Sequence, residues 1–366
     1  MTSPLTKLRE EIAKNKLDAM IISSIPNIIY LTNYSGFSKE EREAYLFITK
    51  TEQYLLTDGR YTQAVKNLIP NFKLIEISSQ LSTLDALTKL AKKLITKNIG
   101  FEGGNVTHLE HTKLISSLGK TSHIDLRHLR IIKTTEEISK IEKACTLGDK
   151  TFDYILKEIK LGTSEKELAT KIEIFIKGHF ADISFNPIVA FGKNSAIPHH
   201  VPSDKKLISD QFVLLDFGVK LNNYCSDMTR TIFFGKATAE QKKIYNTVFE
   251  AQTKSIDLLN TKYLIHNTSK KMIKASDIDN AAREHIISAR YKTIPHSLGH
   301  GIGIEVHEAP NLSPKSKDIL KESMVFSIEP GIYLPDLGGV RIEDLVVLEK
   351  TGPRLLTHSK KNFIEL

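Results

Sequence analysis

The chain is predicted to be an α+β protein in two parts. An α/β unit is expected over residues 1–130, and a second unit of helices and antiparallel hairpins over 131–366. Three observations carry this. Short apolar runs alternate with amphipathic stretches through the first third. A helix-capping signal at Thr134 then opens a long helix of different pattern. Beyond it, β-rich runs come in pairs around polar turns.

In the first unit, Ser3 followed by Pro4 is a helix start with proline at the first helical position. "DAMIISS", "AYLFITK", "QYLLTD", "KLIEIS", "NIGFE" and "SHIDL" read as strands bounded by turn residues. "TLDALTKLAKKLI" and "THLEHTKLISSL" have helical spacing. In the second unit, Thr134 and Glu137 form a capping box. Ile138, Ile141, Cys145, Phe152, Ile155 and Ile159 keep one face of the following helix apolar, with Gly148 a weak point. Ser164 and Glu167 repeat the capping signal before "LATKIEIFIK". Further helices are expected near 239–259 and 276–290.

Composition limits the function. The net charge is +8, but the lysines are scattered over helix-like faces, with no arginine-rich arm and no basic–aromatic stripe. Nucleic-acid binding is not expected. Cys145 and Cys225 form no CxxC pattern and supply neither a zinc site nor a disulfide framework. No apolar run approaches bilayer length, and the first twenty residues hold no signal-type apolar core. The expectation is a cytoplasmic protein without a membrane partner.

Two hairpins carry the chemistry. In "FVLLDFGVKLNNYCSDMTRTIFF", Asp216 and Asp227 stand nearly equidistant from the turn "LNN". In "MVFSIEPGIYLPDLGGVRIEDLVVLE", Glu329 and Glu343 flank "PDLGG" almost symmetrically. Paired across the turns, each couple shares one face of an apolar sheet. Like charges there repel unless a cation sits between them. The unit thus reads as two similar halves, each with helices followed by a carboxylate-bearing hairpin. Four carboxylates and one imidazole suit two divalent cations of the Mn²⁺, Co²⁺, Fe²⁺ or Zn²⁺ type, which can share a nucleophilic hydroxide. The segment "HSLGHGIGIEVHEAP" offers histidines among glycines that let the backbone approach something closely.

These blocks, together with "NSAIPHHVPSD", "NIIYLTNYSGF" and "LLTDGRYTQA", resemble the M24 metallopeptidases, and within them the Xaa-Pro aminopeptidase and prolidase branch. The resemblance covers nearly the whole chain. It implies a pita-bread (creatinase/aminopeptidase-like) catalytic domain after an α/β ribonuclease-H-like domain of creatinase/prolidase N-terminal type. It implies that Asp216 chelates one metal, Asp227 and Glu343 bridge two, and His300 binds the second with Glu329. His199 would lie beside the scissile bond, with His200 its adjacent competitor. His307 would be the second substrate-side histidine, and Arg341 a supporting residue. His296 is left between support of the site and simple packing, and Glu305 and Glu308 are read as structural. Ser297 replaces a glycine common in relatives, and "SKEEREAYLF" is more charged than expected there.

The expected activity is a two-metal Xaa-Pro aminopeptidase, with Mn²⁺ as first choice. A bridging hydroxide would attack, with Glu329 as general acid–base. Its substrates would be peptides with proline at the second position, and a homodimer is implied. The alternatives are an Xaa-Pro dipeptidase, a creatinase-like chemistry on the same fold, and a non-catalytic protein-binding scaffold.

Overall fold

The computed structural model describes residues 3–38, 41–269 and 272–366; Lys39 and Glu40 of the charged segment lie outside the described residues. The chain separates into two compact units, residues 1–130 and 131–366.

The first unit is one six-stranded sheet flanked by helices. Its strand order is Lys73–Ile77, Gln53–Asp58, Ala44–Thr49, Ala19–Ile22, Ile99–Phe101, Thr121–His123. The five pairings divide by connection. Ala19–Ile22 with Ala44–Thr49, and Ala44–Thr49 with Gln53–Asp58, are antiparallel. The rest are parallel, and the outer two are reached through the helices Thr62–Leu68 and His108–Leu118. Parallel neighbours require such crossovers. Helix Pro4–Lys14 begins as expected, with Ser3 accepting from the Thr6 amide. The expected strand "SHIDL" is displaced: pairing covers Thr121–His123 and ends before Asp125. Helix Ile25–Thr32 was not expected, because "IPNIIYLT" is apolar nearly all round; six of its eight residues are buried.

In the second unit both capping boxes form, at Thr134/Glu137 and Ser164/Glu167. Helix Thr135–Glu158 buries Ile141, Cys145, Phe152 and Ile155 on its expected face. Helices Thr135–Glu158 and Glu165–Gly178 share a core with the three-stranded sheet Met228–Phe234, Gln211–Phe217, Ile188–Phe191. Helices Ala239–Ser269 and Ala275–Ser288 share another with the five-stranded sheet Glu308–Leu312, Gly299–Gly301, Val325–Ile328, Asp344–Glu349, Gly352–Leu355. The two halves therefore repeat one plan: two helices, then a hairpin bearing carboxylates. Helix Ala239–Ser269 runs ten residues past its expected end at 259. No described helix is long and apolar enough to cross a membrane.

A candidate two-metal active site

The carboxylates are set by register. Strand Gln211–Phe217 pairs with Met228–Phe234 so that Asp216 faces Thr229, not Asp227. The small ladder beyond it keeps the same register, Lys220 opposite Cys225, which leaves Asp227 level with Gly218. The expected Asp216–Asp227 pairing is therefore off by two residues. Because the side-chain period is also two, both carboxylates keep the same face. Gly218 is required here: a Cβ would lie 2.0 Å from the Ser226 carbonyl oxygen. In the second hairpin the ladder ends with Ile328 opposite Asp344. It resumes with Gly331 opposite Arg341, so Glu329 and Glu343 are the pair between.

His300 arrives on strand Gly299–Gly301, whose register shifts at the His300/Gly301 step. The flanking glycines serve strand packing. A Cβ at Gly299 would meet the Ser327 carbonyl oxygen at 1.9 Å, and one at Gly301 the Ala309 carbonyl oxygen at 2.1 Å. The close approach expected from these glycines is thus to neighbouring backbone.

Ligand atoms of Asp227, His300 and Glu343 lie within 4.8 Å of one another. His300 Nε2 is 3.3 Å from Glu329 Oε1 and 3.7 Å from Asp227 Oδ2. Its Nδ1 lies 3.1 Å from the Gly301 carbonyl; a proton held there leaves Nε2 facing the carboxylates. Ser327 Oγ donates to Glu329 Oε1 at 3.0 Å and accepts from the His300 amide. Thr229 Oγ1 donates to Glu343 Oε2 at 2.7 Å. Arg341 donates through Nη2 to Asp216 Oδ2 at 2.5 Å and through Nε to Thr229 Oγ1.

Three of the carboxylates keep an oxygen without a donor. Asp216 Oδ1, Asp227 Oδ1 and Glu343 Oε1 are buried and have no hydrogen-bond partner. A buried carboxylate oxygen without a donor is costly. Burial raises the Asp227 and Glu343 carboxyls far above their ordinary range, and the neighbouring carboxylates push them further. Burial also raises Asp216, against the pull of Arg341. Burial opposes charge on His300, but Glu329 raises its pKa to about 9. Burial likewise raises the Glu329 carboxyl, yet the His300 hydrogen bond and charge hold it below the usual value. Three orphaned acid oxygens beside an imidazole form a donor set that fits divalent cations.

The remaining histidines separate by exposure and partner. His199 and His307 are exposed. The His307 ring packs edge-on against His300, centroids 4.4 Å apart. His199 sits close enough to act electrostatically on Asp216 and His307. His200 turns instead to Glu165, 2.8 Å away. His296 is held at both nitrogens, Nδ1 on the Ser297 carbonyl at 2.7 Å and Nε2 on Tyr333 OH at 2.8 Å. Tyr333 OH also accepts from Arg341 Nη1 at 2.9 Å, so its own proton points to His296. Burial lowers the His296 pKa, in keeping with an imidazole that accepts that proton. Glu308 makes a buried ion pair with Lys133 at 3.2 Å. Tyr333, Thr229 and Ser327 escaped sequence reasoning. The only sequence signal for them is position: Tyr333 four residues after Glu329, and each of the others two residues from a carboxylate on a strand.

Comparison with known proteins agrees with this architecture. Residues 139–350 match metallopeptidase family M24, and residues 4–132 match the creatinase/prolidase N-terminal domain. The chain is 35% identical over 372 residues to the Xaa-Pro dipeptidase of Pyrococcus horikoshii, covering 100% of this chain and 99% of that one. Among solved structures, the Xaa-Pro dipeptidase from Bacillus anthracis aligns with a TM-score of 0.88 at 32% identity, over 99% of both chains. The X-Pro aminopeptidase from Thermotoga maritima aligns at 0.85 and 31%, over 96% of this chain and 98% of that one. With its two-unit division, repeated halves and paired carboxylate hairpins, the chain belongs to metallopeptidase family M24, a pita-bread domain preceded by a creatinase-type α/β domain.

Proposed function

We propose that the protein is a metal-dependent Xaa-Pro dipeptidase. The observation that carries the metallopeptidase part is the set of unpartnered buried oxygens on Asp216, Asp227 and Glu343 beside His300. The dipeptidase part is supported by relatives of that name at about a third identity over the full chain. It replaces the aminopeptidase as first reading. The aminopeptidase remains the second, supported by the Thermotoga relative of comparable similarity.

Asp216 would chelate one ion, Asp227 and Glu343 would bridge, and His300 with Glu329 would complete the second position. Cations held there, Mn²⁺ first among Mn²⁺, Co²⁺, Zn²⁺ and Fe²⁺, would polarise the scissile carbonyl and acidify water. Glu329, kept ionised by His300, would receive the attacking water's proton on a carboxylate oxygen. It would return that proton to the proline nitrogen as the C–N bond breaks. His199 and His307, exposed beside the acids, would donate to the oxygen gaining charge. Arg341 holds Asp216, and Thr229 holds Glu343, so neither acid can rotate freely. The proline nitrogen lacks a hydrogen, so recognition must use its ring and fixed φ. A homodimer is kept as part of the proposal, to be tested by sedimentation equilibrium.

The deciding experiment gives Mn²⁺-loaded protein Ala-Pro and Ala-Pro-Ala side by side, with a chelated control. Alanine from the dipeptide alone supports the dipeptidase. Alanine from the tripeptide alone transfers the proposal to the aminopeptidase. No metal-dependent release from either overturns both and favours a non-catalytic scaffold.

A further inference from the structure

His199 is anchored on both sides by different buried charges. The Pro198 carbonyl accepts from Arg341 Nη1 at 3.4 Å. On the other side, His200 Nε2 meets Glu165 Oε2 at 2.8 Å. Between these anchors the His199 side chain stands exposed.

Glu165 is the first residue of helix Glu165–Gly178 and is fully buried. Its Oε1 accepts from the Phe191 amide and Asn194 Nδ2, both at 2.8 Å. Its Oε2 accepts from His200 Nε2 at 2.8 Å, the Ser203 amide at 2.9 Å and Ser203 Oγ at 2.6 Å. Among the described residues its ion-pair partner is His200. Burial raises its carboxyl, but the donors from Ser203, His200 and Phe191 hold it below the usual range. Its place at a helix N-terminus also favours the charge.

The direction of these bonds is informative. A carboxylate that served only to stabilise the helix would bond its own first turn. Here all five bonds go to one segment, residues 191–203, at its start, middle and end. That segment is otherwise a short 3-10 turn, Gly192–Ala196, followed by irregular chain. Irregular backbone is precise only where something outside it dictates its path.

We propose that Glu165, acting through His200 and Ser203, is a positioning residue that sets where His199 meets the substrate. The inference rests on the peptidase reading above. It also gives His200 a role: a tether for its neighbour rather than a contact with substrate.

The test is a double-mutant cycle on Mn²⁺-loaded full-length protein with Ala-Pro and Ala-Pro-Ala, using E165Q, H199A and E165Q/H199A, with Mn²⁺ titration calorimetry on each. Glutamine keeps the volume but turns one acceptor into a donor facing donors. E165Q is expected to lower kcat/KM about 10- to 100-fold, in the range for residues that orient catalytic groups. Mn²⁺ affinity should stay within about twofold, and the double variant should be no slower than H199A alone. Losses that multiply in the double variant, or a matching loss of Mn²⁺ affinity, overturn the proposal. If E165Q does not fold, H200A replaces it in the same cycle, leaving Glu165 its other donors. A wild type inactive on both peptides defeats the peptidase reading first; an active wild type with an additive cycle defeats this inference alone.

Discussion

Thr229 and Glu343 meet across two sheets: the threonine hydroxyl donates to Glu343 Oε2 at 2.7 Å, while the Glu343 amide donates to the Thr229 carbonyl at 3.1 Å. The same hydroxyl accepts from Arg341 Nε. One small side chain, opposite Asp216 in its own ladder, thus fixes a carboxylate of the other hairpin.

T229V should therefore be far from neutral, although valine has the same shape and suits a strand. It strands Glu343 Oε2 and Arg341 Nε in a buried place, at about 1–3 kcal/mol. Urea unfolding should report that loss, and Mn²⁺ calorimetry a roughly 10- to 100-fold weaker site. Unchanged values in both would show that Glu343 needs no such hold.

Metal removal should make stability pH-dependent. Asp227 and Glu343 have folded pKa values far above their unfolded ones, and His300 is raised to about 9. These groups then bind more protons in the folded chain than in the unfolded one, so their contribution to stability is full at low pH and drains away as pH rises. EDTA-treated protein should melt lower at about pH 9 than at about pH 6, and Mn²⁺ should raise the melting point most at the higher pH. A chelated protein whose melting point climbs over that interval would contradict the crowded-acid picture.

D227N follows from the same repulsion. Removing one of the mutually repelling acids should raise the melting point of the metal-free protein. It should also abolish turnover and the Mn²⁺-induced increase. Acids selected to hold cations are expected to cost stability without them.

Arg230 and Asp344 form a different kind of pair, fully buried and 2.6 Å apart, with Lys361 on the other Asp344 oxygen. Burial raises Asp344, but Arg230 and Lys361 hold it below its ordinary value. Its contribution is present above the unfolded pKa and lost as pH falls, opposite in sign to Asp227. D344N should cost roughly 3–5 kcal/mol in urea unfolding, because Arg230 stays buried without its counter-charge.

G301A tests the crowding between strands. The added Cβ would press on the Ala309 carbonyl, and overpacking of this sort costs about 1–3 kcal/mol. Since His300 precedes it, Mn²⁺ affinity should fall as well. Loss of stability with full affinity would separate the glycine from the ligand.

Much of this could be read from residue order. Strands with clear alternation, the capping boxes at Thr134 and Ser164, and the hairpin holding Glu329 and Glu343 all have local causes. The misreadings have physical reasons too. Helix Ile25–Thr32 has no polar face, so periodicity cannot distinguish it from a buried strand. Symmetry about the "LNN" turn suggested Asp227 as the partner of Asp216, but pairing is counted from the turn and places Thr229 there. Glu165 stands in the first turn after the Ser164 cap, where acids are common, and its partners lie 26 to 38 residues away, beyond any local pattern.

The division of the acids between two sheets also bears on how the chain is made. Asp216 and Asp227 belong to the earlier hairpin; His300, on strand Gly299–Gly301, and Glu329 and Glu343, on the last hairpin, all come later. A nascent chain emerging from the ribosome carries the first two acids long before their counterparts exist. On the proposed ligand set, neither half can capture a cation pair alone. Loading would then wait until the last hairpin has left the exit tunnel, and bound metal would mark a polypeptide in which both halves have been made and have met.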